Sequence, residues 1–455
     1  MRDIVLLTAV LAAAGVAFRR PWVGLMTFVF LGLFSPQSYT WSFAREFPLS
    51  QVVAVTTIAG MVLSSERKSL SLQTEMVLLI LLWVFFGIST LAALYPDDAM
   101  RRYVYVSKIF LMIIVATVVI SSEERLYGLV RIVGYSLGFY GLKGGLFGIA
   151  TGGGLMVYGP DISFLSANNS IGLALAMNIP ILLYLWKTER KGWVRCTALS
   201  MLLFSYPAII CTYSRGAWLG MLAATILSVV KSQRKFLAVG LGGILLVFLQ
   251  VVAPQIAPDR LVQRYDSLEH YEEDASAQSR FWNWEFCKRV GLARPLTGGG
   301  FDFYHFDTYR SYYPEFLQRW PGKVWTCHST WLTIFGEHGF AGAIIWLSLL
   351  GTSLMSLRRI RLYARMHSEK AHLKVFVETL QASLVTYLVV GTFLDAAYFD
   401  LFYYLIAFVV IQKSLLVRAV SGEEEWRMGP DVAAVLNAPK ANRVSALTIW
   451  RKLPV

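Results

Sequence analysis

The chain has 455 residues, of which 56% are hydrophobic, and its mean hydropathy is +0.53. So apolar a composition excludes a single soluble core, because one folded domain could not hide that much apolar surface from water. The net charge of +13 does not indicate a nucleic-acid-binding protein, because the basic residues cluster between apolar runs.

Apolar runs recur along the whole chain, and many approach the roughly 20 helical residues needed to cross a hydrocarbon core. The long runs are 76–94, 103–120, 168–186, 195–212, 236–252, 329–356, 375–397 and 399–417. Shorter or interrupted runs are 4–18, 21–34, 49–63, 127–150 and 216–230. In lipid, long unalternating runs form helices, because a helix satisfies its own backbone hydrogen bonds. The sequence therefore predicts an all-α polytopic membrane protein of about 12 transmembrane helices.

The exact number of helices stays open between 12 and 13. The first two runs are short, and only Arg19, Arg20 and Pro21 separate them, so they could form one broken hairpin. The N-terminus lacks a basic region and a small-residue cleavage site, so we interpret its first run as a retained span and not as a signal peptide.

Basic residues between the spans predict the orientation of the chain. They fall on one side if the spans alternate, and the positive-inside rule makes that side cytoplasmic. These residues are Arg67, Lys68, Lys187, Arg190, Lys191, Lys231, Arg234, Lys235, Arg358, Arg359, Arg361 and Arg365. We therefore predict an inner-membrane protein with helices over 1–252, a large periplasmic loop over 253–327, helices over 328–417 and a cytoplasmic tail over 418–455.

The predicted loop 253–327 is rich in aromatic residues mixed with charged ones. This pattern favours at least two amphipathic helices in the lipid headgroup layer. The alternative is an aromatic belt that carries no chemistry. Cys287 and Cys327 lie in or beside this loop, where an oxidising periplasm would permit a bridge, and the sequence leaves open whether they are joined.

Two arginines stand where a membrane enzyme could hold an anion. Arg215 lies in TYSRGAWLG between two apolar runs, where a charged side chain is costly unless it is paired or faces a cavity. It could also be an interfacial arginine whose side chain reaches the headgroups. Arg280 lies in SAQSRFWNWEF with aromatics close by, and in isolation it would be an ordinary surface arginine.

Two histidines compete for the role of a general base. His328 opens an apolar run, and we expect it at a helix N-terminus, where the helix dipole keeps the imidazole neutral. His338 follows ten residues later, about 15 Å further along a helix. There we expect a packed, hydrogen-bonded histidine, although we retain it among the candidate substrate-binding residues.

Asn168 and Asn169 begin the run 168–186 and are candidate partners for sugar or phosphate, although helix capping would explain one of them equally well. The chain contains no phosphate-binding glycine loop, no H-E-x-x-H and no D-x-D. The acidic cluster Glu272, Glu273 and Asp274 has no histidine at ligand spacing, so we interpret it as a solvated face. We predict neither a metal nor a cofactor.

Three motifs together resemble one family. His328-Ser329 is followed, after nine residues, by Gly339-Phe340-Ala341-Gly342; Ser214-Arg215-Gly216 precedes an apolar run; and Arg280 precedes RPLTGGGFDFY at 294–304. In order and spacing these resemble the O-antigen ligases, with the related O-antigen polymerases and protein O-oligosaccharyltransferases.

The resemblance implies a fold similar to the C-type membrane glycosyltransferases. It also implies transfer of a glycan from undecaprenyl diphosphate to a hydroxyl of lipid A–core at the periplasmic face. Arg215 and Arg280 would then hold the diphosphate without a metal, His328 would be the base, and the reaction would invert the anomeric centre.

Two alternatives remain open at this point. A polymerase or protein O-oligosaccharyltransferase would differ only in its acceptor. A flippase for lipid-linked oligosaccharide, which is a different class, predicts internal repeats and charges in the middle of several spans. The sequence shows no repeat, and Asp395 and Asp400, between the last two runs, are the exceptions to a scarcity of charge.

Overall fold

A computed structural model describes residues 1–63, 72–230, 275–367 and 370–427, and within these ranges all regular secondary structure is helical. The predicted all-α class is thereby confirmed. The first nine α-helices are α1 (Arg2–Arg19), α2 (Pro21–Phe34), α3 (Leu49–Leu63), α4 (Thr74–Leu91), α5 (Pro96–Val119), α6 (Glu123–Ala150), α7 (Asn168–Thr188), α8 (Gly192–Ile210) and α9 (Arg215–Val230). The remaining described helices are α10 (Ala275–Ala293), α11 (Phe306–Tyr312), α12 (Pro314–Arg319), α13 (Thr330–Met366), α14 (Ala371–Gly391) and α15 (Asp400–Arg427).

Seven of the described helices are long and apolar enough to cross a membrane: α4, α5, α7, α8, α13, α14 and the Asp400–Val420 part of α15. Three more, α2, α3 and α9, are apolar but shorter. The predicted span 236–252 lies outside the described residues. A total of about 12 spans therefore stays a prediction.

The first two apolar runs form two separate helices that pack against each other. α1 ends at Arg19, and Pro21 begins α2, where a proline costs no hydrogen bond because the first turn has no partner for its amide. Asp3 accepts hydrogen bonds from the backbone amides of Ser42 and Ala44 at 3.1 and 3.3 Å, which fastens the start of α1 to the following loop.

Helix α15 lies at the centre of the bundle. Of its apolar part, 89% is buried, and it contacts α4, α5, α6, α13 and α14. It carries Lys413, whose Nζ lies 2.9 Å from Oε2 of Glu75 on α4, with both side chains at most 1% exposed. The helix continues to Arg427, past the predicted start of the tail at 418, and residues 428–455 lie outside the described range.

Helix α13 is broken at Gly339, which has a positive φ of 63°. A Cβ there would lie 2.4 Å from the carbonyl oxygen of Pro295, so only glycine lets this loop approach. The Phe340 amide donates to the Pro295 carbonyl at 2.8 Å, and the amides of Gly299 and Gly300 donate to the carbonyls of Gly336 and Glu337. The glycines of RPLTGGG and of the G-x-x-G motif thus let the loop after α10 pack against the break in α13.

Candidate active site

The linker 392–399, between α14 and α15, contacts the start of α13. The Oγ1 of Thr330 donates to the Leu394 carbonyl at 3.0 Å and accepts from the Ala396 amide at 3.2 Å. The indole nitrogen of Trp331 donates to Oγ1 of Thr392 at 3.2 Å. These bonds fix the backbone immediately after His328.

The same linker contacts the two helices that carry the candidate arginines. The ring of Phe393 lies 6.3 Å from that of Trp284, one turn after Arg280 on α10. A Cβ on Gly216, the residue after Arg215, would lie 3.6 Å from the Cβ of Phe393. The structure therefore brings the three motifs of the sequence to one end of the bundle, around one linker.

His328 is half-buried and has a left-handed backbone, with φ of 50°. For a residue with a Cβ this conformation costs about 1–2 kcal/mol, so the segments on both sides must hold it. We expected the helix to begin at His328, but it begins two residues later. A residue with a positive φ cannot be part of a right-handed α-helix. Ser329 is the N-cap, and α13 begins at Thr330.

The charge of Arg280 acts on His328. Burial and, second, the positive charge of Arg280 lower the pKa of His328 below its ordinary value of 6.5. Both effects disfavour the imidazolium form. At neutral pH His328 is therefore an unprotonated imidazole, the form that can accept a proton.

A disulfide joins Cys287 on α10 to Cys327, the residue before His328. The sequence left this bridge open, and the structure forms it. Both cysteines are completely buried, and Cys287 lies about two helical turns after Arg280. The bond thus connects the arginine-bearing helix to the histidine-bearing segment.

Asn168 supports the turn before Arg215. Its Nδ2 donates to the Thr212 carbonyl at 2.9 Å, and two residues further on the Oγ of Ser214 accepts from the Ala217 amide, which caps α9. The N-cap of α7 is Ala167, without a side-chain hydrogen bond, so Asn168 does not cap its own helix. Asn169 is half-buried beside it, and a sugar contact by either asparagine stays a prediction.

His338 is completely buried, and both of its ring nitrogens have partners. Nδ1 lies 2.6 Å from Oγ of Ser89, and Nε2 lies 2.7 Å from the hydroxyl of Tyr398. Its ring stacks on Phe86 at 4.1 Å between centroids. The prediction of a packed, hydrogen-bonded histidine is confirmed. Its candidate role in substrate binding stays a prediction, and both ring nitrogens already have protein partners.

Around His338 lies a polar cluster that the sequence reasoning missed. Glu337 accepts hydrogen bonds from the hydroxyls of Tyr398 and Tyr304 and from the amide of Asp302. Arg102, on α5, lies over the Tyr398 ring at 5.6 Å. One signal could have pointed to this cluster: Arg102 immediately precedes the apolar run that begins at 103.

Two half-buried aspartates of this region lie in loops. Burial raises the pKa of Asp302, against the opposing effect of the Arg102 charge. Burial likewise raises the pKa of Asp395, on the linker 392–399, to about 6, again opposed by Arg102. Among the described residues no three His, Cys, Asp or Glu side chains are grouped so that they could hold a metal ion. The predicted acidic face 272–274 lies outside those residues, and metal independence stays a prediction.

Two family models match the chain. Residues 1–190 match a family of unknown function, and residues 199–347 match the O-antigen ligase family. The comparison with curated proteins returns no match. The second match contains Arg215, Arg280, His328 and the G-x-x-G glycines, whereas Arg102, Asn168 and Asn169 fall in the first. The resemblance of the sequence motifs is thereby confirmed, and residues 199–347 carry the domain of the O-antigen ligase family.

Proposed function

We propose that this protein transfers an O-antigen glycan from undecaprenyl diphosphate to a sugar hydroxyl of lipid A–core, at the periplasmic face of the inner membrane. The observation that carries the proposal is the pairing of a half-buried, neutral His328 with the positive charge of Arg280, inside the stretch that matches the O-antigen ligase family.

The leaving group determines what the arginines do. When the bond between the anomeric carbon and the diphosphate breaks, the diphosphate keeps the electron pair and gains negative charge, which must be neutralised. A guanidinium does so with a planar fork that binds two phosphate oxygens. Arg280 on α10 and Arg215 at the first residue of α9 lie on the two helices that meet at the linker 392–399, and we assign both to the diphosphate.

His328 has the complementary role. It accepts the proton of the acceptor hydroxyl while the hydroxyl oxygen forms the new bond to the anomeric carbon. Its lowered pKa keeps it unprotonated at neutral pH and so available as a base. Attack from the face opposite the diphosphate inverts the anomeric centre. Asn168 and Asn169 would contribute sugar contacts beside Arg215, as the position of Asn168 under the Thr212 turn allows.

The placement of charge supports a periplasmic site. Asn168 and His328 lie at the starts of α7 and α13, whereas the basic residues Lys187, Arg190 and Lys191, and those from Arg358 to Arg365, follow at the other ends of the same helices. If that basic end faces the cytoplasm, the site faces the periplasm. The Cys287–Cys327 bond agrees with this orientation, because disulfides persist in oxidising compartments.

The test is reconstitution of the purified protein with a lipid-linked glycan and lipid A–core. We expect glycan-bearing lipid A–core from the wild type and about 10²–10⁴-fold slower transfer by His328→Ala. Elongated glycan on the lipid carrier would indicate a polymerase instead, and glycan on serine or threonine of an added polypeptide would indicate a protein O-oligosaccharyltransferase. Failure to transfer to any of the three acceptors by a folded protein would refute a glycosyltransferase.

A further inference from the structure

We propose that the Cys287–Cys327 disulfide is a positioning element of the active site, which holds the backbone of His328 beside Arg280. This inference rests on the proposed function for its consequence in catalysis, but the geometry it asserts can be tested without measuring transfer. The bond joins Cys327, the residue before His328, to Cys287, which lies about two helical turns after Arg280 on α10.

The helices on either side of the bond are docked by other contacts. A Cβ on Gly336 of α13 would lie 3.3 Å from the Cβ of Cys287, and one on Gly291 would lie 2.5 Å from the ring of Phe335. On the opposite side of α10, the rings of Phe286 and Tyr309 stack at 3.6 Å. Close packing of this kind persists without a covalent link. Breaking the disulfide therefore leaves α10 against α13.

The segment between α12 and α13 is held differently. Residues 320–329 contain no helix. The ring of Trp325 packs against that of Phe316 at 5.7 Å, and the Tyr309 hydroxyl donates to the Trp325 carbonyl at 2.8 Å. The Tyr304 hydroxyl lies 3.5 Å from the Cys327 sulfur. On the far side of His328, Thr330 is bonded to the linker 392–399. The disulfide is thus the covalent anchor on one side of His328, and hydrogen bonds anchor the other.

The backbone of His328 needs both anchors. A left-handed φ in a residue with a Cβ is disfavoured unless its surroundings impose it. Once the bond at Cys327 is absent, the segment before His328 can relax toward an ordinary conformation, and the imidazole moves relative to α10. A shift of about 1 Å in a catalytic group can lower a rate by ~10²-fold.

Displacement of the His328 imidazole from α10 also changes its pKa. The charged groups on the elements around it include Arg280, Glu285, Lys288 and Arg289 on α10, Lys323 on its own segment, Arg215 at the start of α9 and Asp395 on the linker 392–399. Of these, Arg280 is the group whose charge lowers the pKa of His328. Separation from Arg280 removes that effect, so the pKa rises, and His328 becomes protonated at a higher pH than in the intact protein.

The experiment compares the wild type, Cys287→Ala, Cys327→Ala and the double variant. Each variant breaks the same bond, so all three should lose kcat equally, by about 10- to 10²-fold, with little change in KM for the lipid-linked glycan. The acidic limb of the kcat/KM profile should move to higher pH, as it should in Arg280→Gln. The control is Cys196→Ala with Cys211→Ala, which removes the two free cysteines and should leave all of these values unchanged.

Titration of ¹⁵N-labelled histidine by NMR measures the pKa of His328 without any substrate. We expect a higher pKa in the double variant than in the wild type. Equal pKa and equal kcat in both would overturn the inference, as would losses of the two single variants that add in the double variant, because additive losses indicate packing and not the bond. If a variant fails to fold, reduction of the Cys196→Ala, Cys211→Ala protein by a phosphine, followed by reoxidation, makes the same comparison. A wild type that transfers nothing would refute the proposed function, while the titration would still decide the positioning role.

Discussion

His328 and His338 lie ten residues apart, yet their surroundings give them opposite properties. His338 is enclosed, with a partner on each ring nitrogen and Phe86 against its ring. His328 is half-buried and precedes α13, and burial and the positive charge of Arg280 lower its pKa. Burial with satisfied hydrogen bonds makes a histidine part of the scaffold, whereas partial exposure makes one available for proton transfer.

The local sequence explains how one segment supports both environments. Gly339 breaks α13 so that the loop containing Pro295 can approach. The Cβ that Gly342 lacks would lie 2.3 Å from the Cβ of His338, so the second glycine of the motif makes room for the histidine itself. His328 is held from outside the helix, by a disulfide on one side and by the linker 392–399 on the other. The two glycines of the G-x-x-G motif therefore shape the scaffold, whereas the residues around His328 form the candidate site.

The largest effect that this contrast predicts is on transfer by the two alanine variants. His328→Ala should reduce transfer by about 10²–10⁴-fold, because a general base is lost, while its abundance in the membrane stays normal. His338→Ala should instead destabilise the protein by about 1–3 kcal/mol, because Ser89 and Tyr398 lose a buried partner. Initial rates per folded molecule and thermal denaturation of the purified variants separate the two outcomes.

A reversed result would exchange the two roles. If both variants accumulated equally and only His338→Ala lost transfer, His338 would be the base and His328 an interfacial residue. The Gln variant of each histidine serves as a second control, because an amide can keep hydrogen bonds at a structural position but cannot act as a base at either one.

Arginine-to-lysine changes should give the next largest effect. Arg280→Lys and Arg215→Lys keep the charge but lose the planar fork, so we expect transfer to fall by about 10- to 10²-fold. The matched control is Arg289→Lys on the same helix as Arg280. Arg289 lies 4.1 Å over the Tyr313 ring, near Glu285 and Glu315, and the change should leave transfer unaltered. Full transfer by both test variants would reduce these arginines to membrane anchors.

The helical class and the grouping of the motifs could be predicted from sequence because each depends on local pattern. Long apolar runs specify helices in lipid, and the order of the motifs along alternating spans predicted that Arg215, Arg280 and His328 lie at one end of the bundle. The helix start was missed because a left-handed residue leaves no mark in a pattern of apolar side chains. His328 carries such a φ, and its sequence neighbours do not reveal it.

Contacts between residues that are distant in sequence could not be predicted from the pattern of residue types. Glu75 and Lys413 are 338 residues apart and form a buried pair, and Ser89 meets His338 across 249 residues. Neither pairing has a periodicity or a spacing that would indicate it. In the sequence, the linker 392–399 stands out only by Asp395, between two apolar runs. Its backbone nevertheless forms hydrogen bonds with Thr330 at the start of α13.

A smaller effect should follow from removing one hydroxyl of the enclosed region. Tyr398→Phe leaves Nε2 of His338 without its partner and removes one donor from Glu337, which should lower stability by about 1–3 kcal/mol. Transfer per folded molecule should remain close to that of the wild type, because the scaffold and not the base is changed. Tyr158→Phe, at a 60% exposed position, is the matched control, and its stability should change by less than about 0.5 kcal/mol. Equal melting temperatures for the two variants would contradict the scaffold role of this cluster.

The smallest expected effect is that of a chelator. If the guanidinium groups of Arg215 and Arg280 neutralise the diphosphate, no divalent cation is needed for that step, so EDTA should leave the transfer rate unchanged. In the described part of the chain, Arg102 interacts with Asp302, Glu337 and Asp395, and two tyrosine hydroxyls donate to Glu337, so these carboxylates already have partners. The measurement is the initial rate with EDTA, with EDTA plus excess Mg²⁺, and with no addition, for the wild type and for Arg280→Lys. Loss of transfer in EDTA that Mg²⁺ restores in the wild type would show that a cation shares the diphosphate with the arginines. Restoration confined to Arg280→Lys would show instead that a cation can substitute for the missing fork.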